Sequence, residues 1–280
     1  MARYGIKTPN HHTTWDNMLE VWREADGIEL FESAWNWDHL YPLRSDPHGL
    51  SLDGWVTLAA LARETSRIRI GSMVNGMHFR HPSITAKMAV TLDHVSAGRA
   101  YLGLGAGWFE EEAKAHGIEL GSLRERFDRF DEGLQVIVSL LTNEETDFSG
   151  DFYELKGALS EPKATQQPHP PIVIGGTGEK RTLRAVARWA QMWDALLVDT
   201  DEWTRLRDVL EDHCREAERD SSEIDCSVHV RYSKEDDVAE VAEQAARHLD
   251  NGVDVVIFTM GSPNDASMVS ALARALEPVG

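Results

Sequence analysis

Cysteine is nearly absent from this chain of 280 residues, which holds only Cys214 and Cys226. The two form no Cys-x-x-Cys unit, so nothing calls for an oxidising compartment and a reducing cytoplasm is expected. Basic residues are also scarce: 28 Lys and Arg stand against 47 Asp and Glu, a formal charge of -19. That balance argues against nonspecific binding to nucleic acid or to an anionic membrane, and an acidic surface is most simply a solubility feature. No uninterrupted apolar run approaches the ~20 residues that span a bilayer. The N-terminus turns polar at Lys7, too early for the apolar segment of a signal peptide. These absences lead to the expectation of a soluble intracellular protein.

Two nucleotide-binding fingerprints are missing as well, although glycine is plentiful in two places. The run Ala100-Tyr101-Leu102-Gly103-Leu104-Gly105-Ala106-Gly107 ends on Trp108-Phe109 and then Glu110-Glu111-Glu112. An apolar strand that enters bare backbone usually lays that backbone against a ligand, because glycine permits close approach. The dinucleotide fingerprint, however, needs a third glycine where this chain has Trp108. The later cluster Gly175-Gly176-Thr177-Gly178-Glu179-Lys180 lacks the adjacent Gly-Lys-Ser/Thr of a triphosphate loop. Glu110–Glu112 reads as a solvated helix start whose charge complements the helix dipole.

What the sequence does contain is an alternation of β-rich and helical runs. The strand candidates are Arg3–Pro9, Phe31–Trp37, Ile68–Val74, Ala100–Gly107, Ile172–Gly176, Asp194–Asp199, Asp225–Tyr232 and Asp254–Met260, each followed by a helix candidate. Apolar stripes mark four of the helices: Ile84, Met88, Leu92 and Val95; Phe127, Phe130, Leu134, Ile137 and Leu141; Val238, Val241, Ala245 and Leu249; Met268, Leu272 and Leu276. Thr13-Thr14 would cap the first helix before Trp15, and Pro82 suits the first turn of the third. Eight such units in an α/β chain of this length predict a closed (β/α)8 TIM barrel rather than an open doubly wound sheet, which would place its nucleotide glycines after the first strand. Residues 1–280 read as a single domain. Thr146–Leu155 is expected to form a hairpin inserted between the fourth and fifth units, with the rest of the stretch to Pro171 crossing the barrel mouth.

Functional groups of such a barrel collect at the C-terminal ends of its strands. Those ends carry His11-His12, Trp37-Asp38-His39, Val74-Asn75 with His78, Gly105–Trp108, Gly175–Gly178, Asp199, Arg231-Tyr232 and Met260. The inventory suits a flat aromatic ring with a phosphate tail. The turn Gly175–Gly178, ahead of a helix starting near Glu179, offers amide groups for a phosphate, with Lys180 and Arg181 adding charge; a purely structural turn is the alternative. His39 can give or take a proton near neutral pH. His11 and His12 are adjacent on a strand and point to opposite faces, a poor chelate, so no metal is expected. Of nine tryptophans, Trp37 and Trp108 stand out as site residues and the others as packing.

Four segments, in order, resemble the luciferase-like monooxygenase superfamily, and the likeness runs from Tyr4 to about Leu276. They are Trp35-Asn36-Trp37-Asp38-His39-Leu40; Ile70 to Gly76 leading into Phe79-Arg80-His81-Pro82; Leu92 to Arg99 running on through Gly103 to Glu112; and Ile174 to Thr182. The wording of Gly105–Glu112 and of Gly178–Thr182 is similar to the branch that uses the deazaflavin coenzyme F420. The resemblance implies a non-proline cis peptide at or beside Met73–Val74, in a bulge that supports the middle of the cofactor ring with Asn75 beyond it. It places Asp38 and His39 at the reactive side of the ring, Ala106, Gly107 and Trp108 along its flank, and Gly175, Gly176, Thr177 and Gly178 at the phosphate. The sugar-phosphate dehydrogenases of this superfamily carry an acid where this chain has Trp108 and an aromatic near Leu43, so their substrate is not expected here and an apolar pocket is.

The implied activity is hydride transfer between C5 of the deazaflavin and a small organic substrate, with His39 and Asp38 as catalytic groups. Alternatives are an FMN-dependent two-component monooxygenase with a reductase partner, a metal-dependent barrel hydrolase using His11, His12, His39 and Asp199, and a non-catalytic carrier of the cofactor. A homodimer is the expected assembly.

Overall fold

A computed structural model describes residues 2–43 and 46–277. Its strands are β1 (Arg3–Lys7), β2 (Phe31–Asn36), β3 (Arg69–Ser72), β4 (Asn75–Gly76), β5 (Leu102–Gly105), β6 (Glu145–Ser149), β7 (Glu154–Leu159), β8 (Ile172–Gly175), β9 (Met192–Asp194), β10 (Asp225–Tyr232) and β11 (Val255–Met260). The helices are α1 (Trp15–Gly27), α2 (Gly54–Glu64), α3 (Pro82–Val95), α4 (Glu110–Ala115), α5 (Leu123–Thr142), α6 (Thr182–Trp189), α7 (Thr200–Glu216), α8 (Val238–Asp250) and α9 (Ala266–Leu276). All strands except the β6–β7 hairpin form one parallel sheet in the order β3-β2-β1-β11-β10-β9-β8-β5-β4. β3 and β4 are two halves of one strand: Ile70 bridges Ala100 while Asn75 and Gly76 pair with Leu104 and Gly105. Both ends of the sheet therefore meet at β5, and the ring of eight closes as a (β/α)8 barrel.

Side-chain alternation divides the barrel into two packed regions. Outward residues such as Tyr4, Ile6, Trp193, Val228, Val230 and Phe258 join the helix faces in one large core. Trp35, Met73, Tyr101, Val173, Met192, Val255 and Ile257 fill the interior, with Trp35 stacked on Tyr101 at 4.9 Å. Caps follow the sequence chemistry: Thr14 accepts from the Asn17 amide at 3.2 Å, Pro82 opens α3, and Ser122 with Glu125 makes a capping box on α5. Among the described residues no helix is long and apolar enough to cross a membrane.

Four expectations change. β9 ends at Asp194 where a strand was expected to begin, and Ala195–Val198 is mouth loop with Leu196 at φ 62°. The apolar wording of that loop mimicked a strand. On α3 the buried face is Ala86, Ala89, Val90 and Leu92, while Ile84 is 54% exposed. The α6 helix starts at Thr182, three residues after Glu179. Finally, the segment after the hairpin runs beneath the barrel, not over its mouth. Gln166 Nε2 donates to the Ala100 carbonyl at 2.7 Å and to Asp93 at 2.6 Å, both at the strand N-terminal end, and Lys163 caps the end of α5 through the Leu140 carbonyl. The twenty residues of α5 carry the chain down to that face, so only the hairpin turn, through Tyr153 against His81 at 5.2 Å, climbs back toward the mouth.

Candidate active site

The broken strand organises the mouth. The Met73–Val74 peptide is cis, at the place the resemblance implied. A Cβ on Gly103 would lie 2.0 Å from the Ser72 carbonyl oxygen, and one on Gly105 would lie 2.8 Å from Val74 Cγ2. Gly175, across the interior, would place its Cβ 3.1 Å from Val74 Cγ1. The glycines of β5 and β8 thus make room for the bulge, and at Gly103 and Gly105 a side chain would collide with it. Asn75 Nδ2 donates to the Gly103 carbonyl at 2.7 Å and ties the bulge down. Further out, Gly107 adopts φ +89°, and any Cβ there would strike the His78 ring at 2.3 Å. Its carbonyl accepts from Arg126 at 3.1 Å, and Ala106 beside it is half-buried.

Asp38 and His39 leave β2 side by side but take different partners. Asp38 is buried, and Arg80 holds it in a two-pronged ion pair at 2.6 and 2.9 Å. Burial pushes its carboxyl up, against the pull of the guanidinium. His39 lies inside an aromatic cage, edge-on to Trp37 at 6.3 Å, Trp108 at 5.9 Å and Phe109 at 6.2 Å. Its Nδ1 is 2.8 Å from Glu112 Oε2. Glu112 is the buried member of an acidic run whose other two residues are exposed. Its side chain is 0% exposed, and its other oxygen accepts the Leu40 amide at 2.6 Å. Burial would raise this carboxyl, but the hydrogen bond and charge of His39 and the Leu40 and Tyr41 amides outweigh it and hold it low. An ionised carboxylate only accepts, so His39 Nδ1 carries a proton and Nε2 is the nitrogen that can exchange one.

Glu112 overturns the reading of the acidic run as wholly solvated. A six-residue helix places it one turn past Trp108, so a carboxylate reaches the site from α4 although position 108 has none. The motif Phe79-Arg80-His81-Pro82 by itself gives Arg80 no role. In both cases the partner lies 42 to 73 residues away along the chain, so no local spacing reveals the pair.

The other early candidates divide: His11 stays near His39, ring centroids 6.4 Å apart, while His12 and Asp199 turn to other surroundings. His11 stacks on Trp37 at 5.1 Å, and burial chiefly, with His39 nearby, drives its pKa down to about 4. Exposed His12 turns out at φ 48°, and Asp199 caps α7 through the Glu202 amide at 2.8 Å. Among the described residues, no group of three or more His, Cys, Asp or Glu is arranged to hold a metal ion. His78, pushed to about 4 mainly by burial, borders the mouth beside Phe79 at 4.0 Å.

The glycine loop beyond β8 is open. Gly176 takes φ +125° and donates to the Asp194 carbonyl at 2.9 Å, while its own carbonyl accepts from Trp193 Nε1 at 2.9 Å. The Thr177 and Gly178 amides donate to no group among the described residues, and Gly178 has no room for a Cβ beside Thr182 Oγ1 at 2.7 Å. Arg181 does not serve this loop: Asp128 at 2.8 Å and Asp131 at 2.6 Å on α5 hold it. A guanidinium only donates, so two carboxylates satisfy it where bare N–H groups offer no acceptor.

Comparison with known proteins agrees with this architecture. An uncharacterized protein of Mycobacterium tuberculosis strain H37Rv is 33% identical over 240 residues, 84% of this chain and 79% of that protein. An F420-dependent glucose-6-phosphate dehydrogenase of Amycolatopsis mediterranei is 31% identical over 176 residues, 62% of this chain and 51% of that enzyme. The fold matches the structure of an F420-dependent secondary alcohol dehydrogenase in complex with an F420-acetone adduct with a TM-score of 0.87 at 19% identity, covering 100% of this chain and 99% of that one. Family and relatives together make the chain an oxidoreductase enzyme. With the luciferase-like monooxygenase model matching residues 2–277, on a barrel broken at Met73–Val74, the chain belongs to the luciferase-like monooxygenase family.

Proposed function

We propose that this oxidoreductase uses coenzyme F420 and transfers a hydride between the deazaflavin and a small, largely apolar organic substrate, with His39 moving the accompanying proton. The observation that carries the reading is the His39–Glu112 pair at 2.8 Å within an aromatic cage. The residues present suit a ring with a phosphate tail. Val74 offers an apolar rest between Gly105 and Gly175; the Thr177 and Gly178 amides, without an acceptor among the described residues, suit phosphate oxygens; and Asp194 Oδ2 is a buried acceptor without a partner among the described residues.

Bound F420 supplies a hydride donor or acceptor at its C5 carbon. The chain does the rest. When a carbonyl is reduced, His39 gives the Nε2 proton to its oxygen; in the reverse direction Nε2 takes the hydroxyl proton. Glu112 fixes the tautomer and stabilises the imidazolium when Nε2 is protonated. Trp37, Trp108 and Phe109 keep water from the imidazole and favour an apolar substrate. Arg80 holds Asp38, and with it the turn that carries His39, in place.

Anaerobic absorbance titration of the purified protein with F420 and with FMN tests the cofactor. Saturable binding of F420 is the expected result. Tight binding of FMN alone would replace this reading with an FMN-dependent monooxygenase.

A further inference from the structure

Beneath the mouth, three barrel strands turn polar side chains into the apolar interior. Lys7 comes from the end of β1, Asp194 from the end of β9 and His229 from β10, at 5%, 0% and 4% exposure. His229 Nε2 lies 3.1 Å from Asp194 Oδ1 and 3.3 Å from Met73 Sδ in the bulge, and its Nδ1 lies 3.1 Å from Thr259 Oγ1. A carboxylate cannot donate, so Nε2 carries the proton and Nδ1 accepts from the threonine hydroxyl; the imidazole is neutral, as burial also favours.

Two groups are left open in this layer. Asp194 Oδ1 takes His229 and the Leu196 amide at 3.1 Å, but Oδ2 is buried without a partner among the described residues, facing Gly175. Lys7 lies over the Trp37 ring at 5.4 Å and makes no hydrogen bond or ion pair among the described residues, not even with Asp194. A purely structural cluster would join this cation to this anion, because each is costly to bury alone. A donor and an acceptor held apart in one layer complement a ligand edge that alternates acceptor and donor.

We propose that Lys7 and Asp194 form the floor of the pocket and bind the pyrimidinedione edge of the ring cofactor. Lys7 donates to a ring carbonyl oxygen, and Asp194 Oδ2 accepts from the adjacent ring N–H. His229 and Thr259 are positioning residues that hold the carboxylate in register below the bulge. The idea rests on the reading that the mouth takes such a ring, and it assigns the two side chains that recognise its polar end. Among the described residues, the titratable groups that interact with Lys7 are Asp194 and His229, while β2 pairs Trp35 with it, Trp37 just beyond β2 lies under it, and β11 pairs Thr259. Burial lowers the ammonium to about 8 and Asp194 acts in the opposite direction, so the donor deprotonates within an accessible range.

The test is equilibrium binding of F420 and FMN to the apo protein from about pH 6 to 9.5, without substrate, followed by absorbance of the bound ring. Wild type is expected to bind a ring and to lose affinity as the pH rises past 8. Lys7→Met should bind at least ~10-fold more weakly at pH 7, equivalent to about 1.4 kcal/mol, with no such pH dependence. Asp194→Asn should also bind more weakly, with the loss moved to lower pH because Lys7 has lost its counter-charge. If Lys7→Met does not fold, as judged by circular dichroism, the Asp194→Asn profile decides. Wild-type affinity and pH profile in the folded variants would overturn the proposal while leaving the cofactor reading intact. Failure of wild type to bind either ring would overturn both.

Discussion

Replacing Glu112 with Gln removes the charge of a buried carboxylate and little of its volume. The wild-type side chain is 0% exposed and accepts from His39 Nδ1 at 2.8 Å and the Leu40 amide at 2.6 Å. Hydrogen bonds to a charged group are each worth about 1.5–3 kcal/mol. The glutamine carbonyl can keep one of the two, so a loss of about 2 kcal/mol is expected in urea unfolding at pH 7. The pH dependence gives a second signature. The folded state holds the Glu112 carboxyl below its ordinary value, so its contribution is present above the unfolded pKa of ~4.3 and is lost as pH falls through the folded one. The gap between wild type and Glu112→Gln should therefore be full at pH 7 and should close as the solution is acidified below pH ~4. In activity, losing the carboxylate that supports a protonated His39 should cut kcat/KM by about 10–100-fold. An unchanged urea midpoint, or a stability gap that does not vary with pH, would refute the pairing.

Arg80→Met strands the buried Asp38 carboxylate and should cost about 3 kcal/mol, the low end for a broken buried pair because Arg80 keeps 19% side-chain exposure; Asp38→Asn in the same chain should restore part of it in urea melts. Gly103→Ala drives a methyl to 2.0 Å from the Ser72 oxygen and should destabilise by about 3 kcal/mol or more, whereas Gly27→Ala, with nothing within 4 Å, should be neutral or gain about 0.5 kcal/mol; thermal melts separate the two. His39→Ala should leave ring binding within about twofold but lower the rate of hydride transfer by about 100-fold or more in stopped-flow absorbance.

The barrel was legible because inward and outward residues alternate on short strands and three of the four helix stripes keep their expected faces. Stripes misled where small residues did the packing, as on α3, where Ala86 and Ala89 lie against the core and Ile84 does not. A strand of three residues, Met192–Asp194, is shorter than any pattern can mark, and the apolar loop after it drew the assignment forward. The cage around His39 was half visible through Trp37 and Trp108. Glu112 was hidden by two exposed glutamates on the same short helix, since a run of like charge carries no sign of which member turns inward. In the sequence Lys7 marks only the point where the N-terminus turns polar, and Asp194 only the first residue of an expected strand, because a polar residue in an apolar run looks like its boundary. In a closed barrel the same position faces the interior, and only closure brings β1 near β9.

The central claim is tested most directly by loading the protein anaerobically with reduced F420, adding a panel of small ketones and aldehydes, and following the return of the oxidised chromophore. The account predicts saturable reoxidation by at least one apolar carbonyl compound, depressed about 100-fold or more in His39→Ala. A bound, reduced ring that no carbonyl compound oxidises, together with oxygen consumption by the protein supplied with reduced FMN, would contradict it.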